Sequence, residues 1–132
     1  MKLWACAVAV VSLALAGCGS SVCESLASAV DSLDEKVKPC GLTGSTPITD
    51  DEIKQCDKDV DASCTSGDKS ELHDYASCIK DVPACSSGNT DPFTTALDAC
   101  DAKLNSKLTP ACSAAAGTES LTRKTASLRM SR

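Results

Sequence analysis

The sequence predicts an all-α fold, a small four-helix up-down bundle stapled by disulfides. Three observations carry this. Apolar residues recur at helical spacing in four segments, and strand alternation is weak throughout. Each segment also carries one cysteine inside it or at its start and another just past its end: 23/40, 56/64, 78/85 and 100/112. Short loops between the segments favour antiparallel neighbours.

The first segment places Val22, Leu26, Ala29, Val30, Leu33 and Val37 on one face, and Lys38-Pro39-Cys40-Gly41 stops it. The second opens on Thr49-Asp50-Asp51-Glu52, a capping box with acids at the positive helix end. Its face is Ile53, Cys56, Val60 and Cys64, and Ser66-Gly67 is expected to break it. The third is expected to start at Asp68, with Glu71 three residues on. Leu72, Tyr75, Ile79 and Val82 form its stripe, and Pro83 ends it. The fourth opens on Asp91-Pro92, an N-cap followed by Pro at the first helical position. Phe93, Ala96, Leu97, Cys100, Leu104 and Leu108 form its stripe, and Pro110 is expected to end it before Cys112. In such a bundle Cys40 and Cys85 share one end. Cys23, Cys64 and Cys112 share the other, with Cys56, Cys78 and Cys100 between. Cys40–Cys85 is therefore the easiest pair to form, while eight cysteines leave the rest of the connectivity open.

The chain begins with a basic pair, Met1-Lys2, followed by an uncharged stretch from Leu3 to Ala16. That stretch is shorter than the about 20 residues a membrane span needs, and it fits the apolar region of a signal peptide. Two cleavage patterns overlap at its end. Ala14-Leu15-Ala16 is an A-x-A site, which would give ordinary secretion. Leu15-Ala16-Gly17-Cys18 resembles the lipobox of bacterial lipoproteins. In that family the cysteine thiol is alkylated with diacylglycerol, the chain is cut just before it, and the new amino group is often acylated.

The resemblance implies cleavage between Gly17 and Cys18, lipidation of Cys18, and a lipid bilayer as partner. Residue counting favours it over the A-x-A site. Of ten cysteines, Cys6 leaves with the signal either way. Lipidating Cys18 leaves Cys23, Cys40, Cys56, Cys64, Cys78, Cys85, Cys100 and Cys112, an even set free to pair. The division is then a signal peptide over 1–17, a lipidated start and short tether over 18–22, a cysteine-rich helical domain over 23–112, and a disordered basic tail over 113–132. Gly19 follows the lipidated cysteine where an Asp would imply inner-membrane retention, so the resemblance implies the outer membrane.

Such cysteine density points to an oxidising compartment such as the periplasm or cell surface. It also answers a physical need. With Trp4 in the signal segment, the mature chain has two aromatics, Tyr75 and Phe93, and few large aliphatics. A core this thin is marginal without staples, each typically contributing about 2–4 kcal/mol.

Charge is uneven. Residues 18–112 hold 8 Lys and 17 Asp or Glu, whereas 113–132 hold Arg123, Lys124, Arg129 and Arg132 against Glu119. An acidic body argues against nucleic-acid binding. The basic tail is short and polar, as a disordered terminus would be, and its functional alternative is contact with anionic lipid or with the acidic body.

Catalytic patterns are weak. His73 beside Asp74 has no nucleophile motif and fits a solvated pair. There is no G-x-S-x-G, no phosphate loop, and no C-x-x-C for zinc or thiol exchange. His73 is the one histidine, so no metal and no cofactor are expected. The acids Asp57, Asp59 and Asp61 lack the Gly and distal Glu of a calcium loop. Plant-type lipid-transfer proteins, saposin-like proteins and elicitins share only the class of cysteine-rich helical domain.

The expected role is that of a non-enzymatic envelope lipoprotein with a structural or interaction function. The alternative is a binding module for an apolar small ligand or lipid, whose mark would be a cavity of several hundred Å³ lined by Leu and Val.

Overall fold

A computed structural model describes residues 20–42 and 46–117. The signal segment, the lipobox with Cys18, and residues 118–132 of the basic tail lie outside the described residues. The fold is helical and disulfide-stapled. Five helices follow in order: α1 (Val22–Val37), α2 (Asp50–Ser63), α3 (Ser66–Asp81), α4 (Asp91–Asn105) and α5 (Pro110–Ala115), with a 3-10 turn at Lys38–Cys40 after α1. The described residues contain no strand, only an isolated bridge between Ser86 and Asn89.

Side-chain caps open four of the five described helices. Helix α4 is the exception, since Thr90 is its N-cap without a side-chain cap bond, and Asp91, expected as the cap, is its first residue with Pro92 second. Ser21 with Glu24, Thr49 with Glu52, and Thr65 with Asp68 each form a reciprocal capping box. The third of these moves a boundary. Ser66-Gly67 lies inside the first turn of α3 instead of breaking the chain, because Thr65 caps the helix and Asp68 is its third residue. Only Cys64 and Thr65 therefore separate α2 from α3.

The end of α4 also differs from expectation. It stops at Asn105, and Pro110 opens α5 under a Thr109 cap. Proline lacks an N–H and has a helical φ, so it suits a first turn as well as a stop. The helical body thus continues through Ala115, into residues assigned from sequence to the tail. Gly117, at φ 62°, then turns the chain in a conformation that L side chains rarely adopt.

Helix α1 is the hub. It packs principally on α3 and α2, α3 packs on α4, and α2 packs on α5. Its Leu26, Ala29, Leu33 and Val37 join Leu72, Tyr75 and Ile79 of α3 and Phe93, Leu97 and Leu104 of α4 in one core. At their C-terminal ends α1 and α3 lie side by side. The Lys36 ammonium donates to the carbonyls of Ile79 and Lys80, and the Cys85 N–H donates to the Lys36 carbonyl at 2.8 Å. A cation on the last carbonyls of α3 complements that end of its dipole.

Helix α2 is attached differently. Val60 is its one buried residue, so its apolar anchor is small. Two disulfides hold it instead, Cys23–Cys56 to α1 and Cys64–Cys112 to α5. Cys40–Cys85 and Cys78–Cys100 complete the set. Cys40–Cys85 is the pair expected from the placement of helix ends. Cys64–Cys112 and Cys78–Cys100 also join cysteines expected at like heights, but Cys23–Cys56 overturns the expected placement by bringing the middle of α2 to the start of α1.

Candidate functional site

Helices α3 and α4 run antiparallel, as three pairings show: Glu71 with Lys107, Tyr75 with Asp101, and Cys78 with Cys100. Between them lies an open groove of about 490 Å³. Its walls carry Glu71, Asp74 and Asp81 against Lys103 and Lys107, and the Cys78–Cys100 disulfide lines it. The groove is therefore polar and of mixed charge. By contrast, the apolar space between α1 and α3, lined by Leu26, Val30, Leu33 and Ile79, is about 20 Å³. That is about the room one water needs, far below the several hundred Å³ of a ligand pocket.

Tyr75 is the best-defined polar element under the groove. Its hydroxyl donates to Asp101 Oδ1 at 2.8 Å, with both residues buried. Burial, then the Asp101 carboxylate, push the phenol far above its usual range, so it stays protonated and acts as a donor. Asp101 follows Leu97 by four residues and so falls on the buried stripe of α4, the one sequence signal for this pair. Tyr75→Phe removes a donor to a buried carboxylate and is expected to destabilise the oxidised protein by about 1–3 kcal/mol. Urea unfolding followed by circular dichroism measures this, and an unchanged midpoint would count against a structural bond here.

Asp68 is a second buried acid, and it stands at the third position of α3 and not at the helix start that its spacing from Glu71 predicts. It lies four residues before Leu72, on the same face. Its Oδ2 accepts from the Thr65 N–H at 2.9 Å and the Thr65 hydroxyl at 2.8 Å. The Thr109 N–H donates to Oδ1 at 3.0 Å, and the Thr109 hydroxyl reaches Oδ2 at 3.1 Å. One carboxylate thus joins the start of α3 to the start of α5. These bonds, led by the Thr109 N–H, lower its pKa from 3.8 to about 2.

The stability consequence has a definite sign. A carboxyl whose folded value is depressed stabilises fully above its ordinary pKa, near pH 4, and loses that contribution as pH falls through about 2. Thermal midpoints measured from pH 5 to pH 2 should therefore fall for the wild type. Asp68→Asn should start lower at pH 5 and show a flatter slope; parallel slopes would remove Asp68 as the source.

Other residues singled out from sequence are not brought together. Asp74 lines the groove but His73 does not, and the His73 carbonyl accepts from Ser77 Oγ at 3.0 Å. In the acidic run of α2, Asp57 accepts from the Cys23 N–H, Asp59 from Gln55, and Asp61 from Lys69 at 2.6 Å. Each acid has a separate partner and none converge. Among the described residues no group of three His, Cys, Asp or Glu side chains is placed to hold a metal ion. Lys107 is held protonated above its ordinary value by its hydrogen bond to Glu71, an exposed pair of the kind that contributes little to stability.

All eight cysteines from Cys23 to Cys112 are consumed in disulfides. No described helix is long and apolar enough to cross a membrane. Comparison with protein-family models, with curated proteins and with solved structures finds no match to this chain.

Proposed function

We propose that this chain is a bacterial cell-envelope lipoprotein, anchored to the outer membrane through acylated Cys18, with a structural or interaction role and no enzymatic activity. The observation that carries this is the lipobox Leu15-Ala16-Gly17-Cys18, placed directly after an uncharged signal segment. The closed set of disulfides supports it. Every cysteine of the helical body already has a partner within the body, so none is left to pair with Cys18.

The body is read as a four-helix up-down bundle, with α5 added as a short clasp on α2. The tether from Gly19 to Val22 spans roughly 15 Å at most, so the body stays near the bilayer. Two or more acyl chains give stable anchoring where one would not.

Intact mass and cell fractionation test the proposal together. The native protein is expected in the membrane fraction, with the mass of a chain starting at Cys18 plus its acyl groups. A Cys18→Ser form should leave that fraction. If it stays membrane-bound, or if native Cys18 carries no lipid, the proposal fails.

A further inference from the structure

The groove between α3 and α4 presents charges that the fold itself does not use. Its walls are held in register by Glu71–Lys107, Tyr75–Asp101 and Cys78–Cys100. Stepping along these antiparallel pairs puts Asp74 of α3 level with Lys103 of α4, on opposite walls. Asp81 lies two turns beyond Asp74 on the same helix, about 10 Å along the groove. All three side chains are exposed. Among the described residues none forms a hydrogen bond or ion pair with the side chain of Asp74, Asp81 or Lys103.

The rest of the groove is tied off or apolar. At one end Lys107 donates to both oxygens of Glu71, at 2.9 and 2.8 Å, and so joins wall to wall. Asp74 acts on that ammonium through space and adds to the field that keeps it protonated. The floor is the Cys78–Cys100 disulfide with buried Leu104. Tyr75 beside them has already committed its hydroxyl to Asp101. Lys36 and Lys80, near the same end of α3 as Asp81, do not line the groove.

These features define a complementary ligand. Two carboxylates and one ammonium are matched by two ammonium groups and one carboxylate. Asp74 and Lys103, facing each other at one level, suit an ammonium and a carboxylate carried on one carbon. Asp81 suits a second ammonium at the far end of an aliphatic stem, whose methylenes lie over the apolar floor. We propose that the α3–α4 groove binds a basic α-amino acid, with Asp74 and Lys103 holding its head and Asp81 its terminal ammonium. The inference goes beyond the lipoprotein assignment and does not depend on it. About ten non-hydrogen atoms in an open groove give an affinity near millimolar.

The test uses the oxidised chain from residue 18 with Cys18→Ser, so its outcome is independent of acylation. Amide shifts are followed by NMR while L-lysine, norleucine or cadaverine is added at matched ionic strength. Norleucine lacks the terminal ammonium and cadaverine lacks the carboxylate. Lysine is expected to shift amides of α3 and α4 around the groove, and to bind at least about threefold more tightly than either analogue, as exposed charge pairs allow. D81N should lose the preference over norleucine and keep that over cadaverine; K103Q should do the reverse. Both side chains are exposed and unbonded, so neither change touches the core. No localised shift at tens of millimolar lysine, equal affinity for the three compounds, or unchanged preferences in both variants overturns the proposal.

Discussion

Full reduction of the four disulfides at neutral pH is expected to unfold the domain. The bonds join residues 33, 45, 48 and 22 apart in sequence. Loops of that size restrict the unfolded chain by about 3–4 kcal/mol each, although the terms do not simply add. Small domains have net stabilities of about 5–15 kcal/mol, so losing even two such constraints removes a large share. The core cannot compensate, since Tyr75 and Phe93 are its two aromatics and α2 contributes one buried residue. Excess dithiol followed by alkylation should give eight modified cysteines in the chain from residue 19, with most of the helical circular dichroism lost. Retention of the helical signal after complete alkylation would show that the apolar core suffices alone. Helix α2 should open at the mildest reduction, because two disulfides and Val60 are its main attachments.

Among single substitutions in the oxidised protein, Leu72→Ala carries the largest expected cost. Leu72 has no exposed surface and belongs to the one core that the helices share. Truncation removes three buried carbons and leaves a cavity that the stapled helices cannot close by shifting. The cost of such a change is about 2–5 kcal/mol, toward the upper end where the site cannot collapse. Urea unfolding at pH 7 measures it. A loss under about 1 kcal/mol would mean that the disulfides alone set stability and that packing in this core matters little.

Much of this architecture is legible in the sequence, for identifiable reasons. The stripes of α1, α3 and α4 are visible because helical periodicity places Leu26, Leu33, Leu72, Ile79 and Leu97 on single faces. The start of α2 is visible because Thr49 and Glu52 form a local motif that needs no tertiary partner. Cys40–Cys85 is visible because Pro39 and Pro83 fix where two helices stop, and ends can be matched without knowing helix rotation.

What could not be read depends on competition or on neighbours. Ser66-Gly67 looks like a break until Thr65 caps it, and Pro110 looks like a stop until Thr109 makes it a start. Asp68 and Asp101 lie on apolar stripes, which in one sequence marks a buried acid without naming its donor. The groove between α3 and α4 has no sequence signature. Its width follows from how far apart Tyr75–Asp101 and Cys78–Cys100 hold the two helices.

The interleaving of the disulfides has a consequence for proteolysis. The closed loops 23–56, 40–85 and 64–112 overlap in series, so every peptide bond between Cys23 and Cys112 lies inside at least one of them. A single nick anywhere in that stretch, even in an exposed turn such as 86–89, leaves both pieces covalently joined. Bonds before Cys23 lack this protection. One cut in the tether would free the whole body from a lipid on Cys18, whereas one cut between Cys23 and Cys112 would detach nothing.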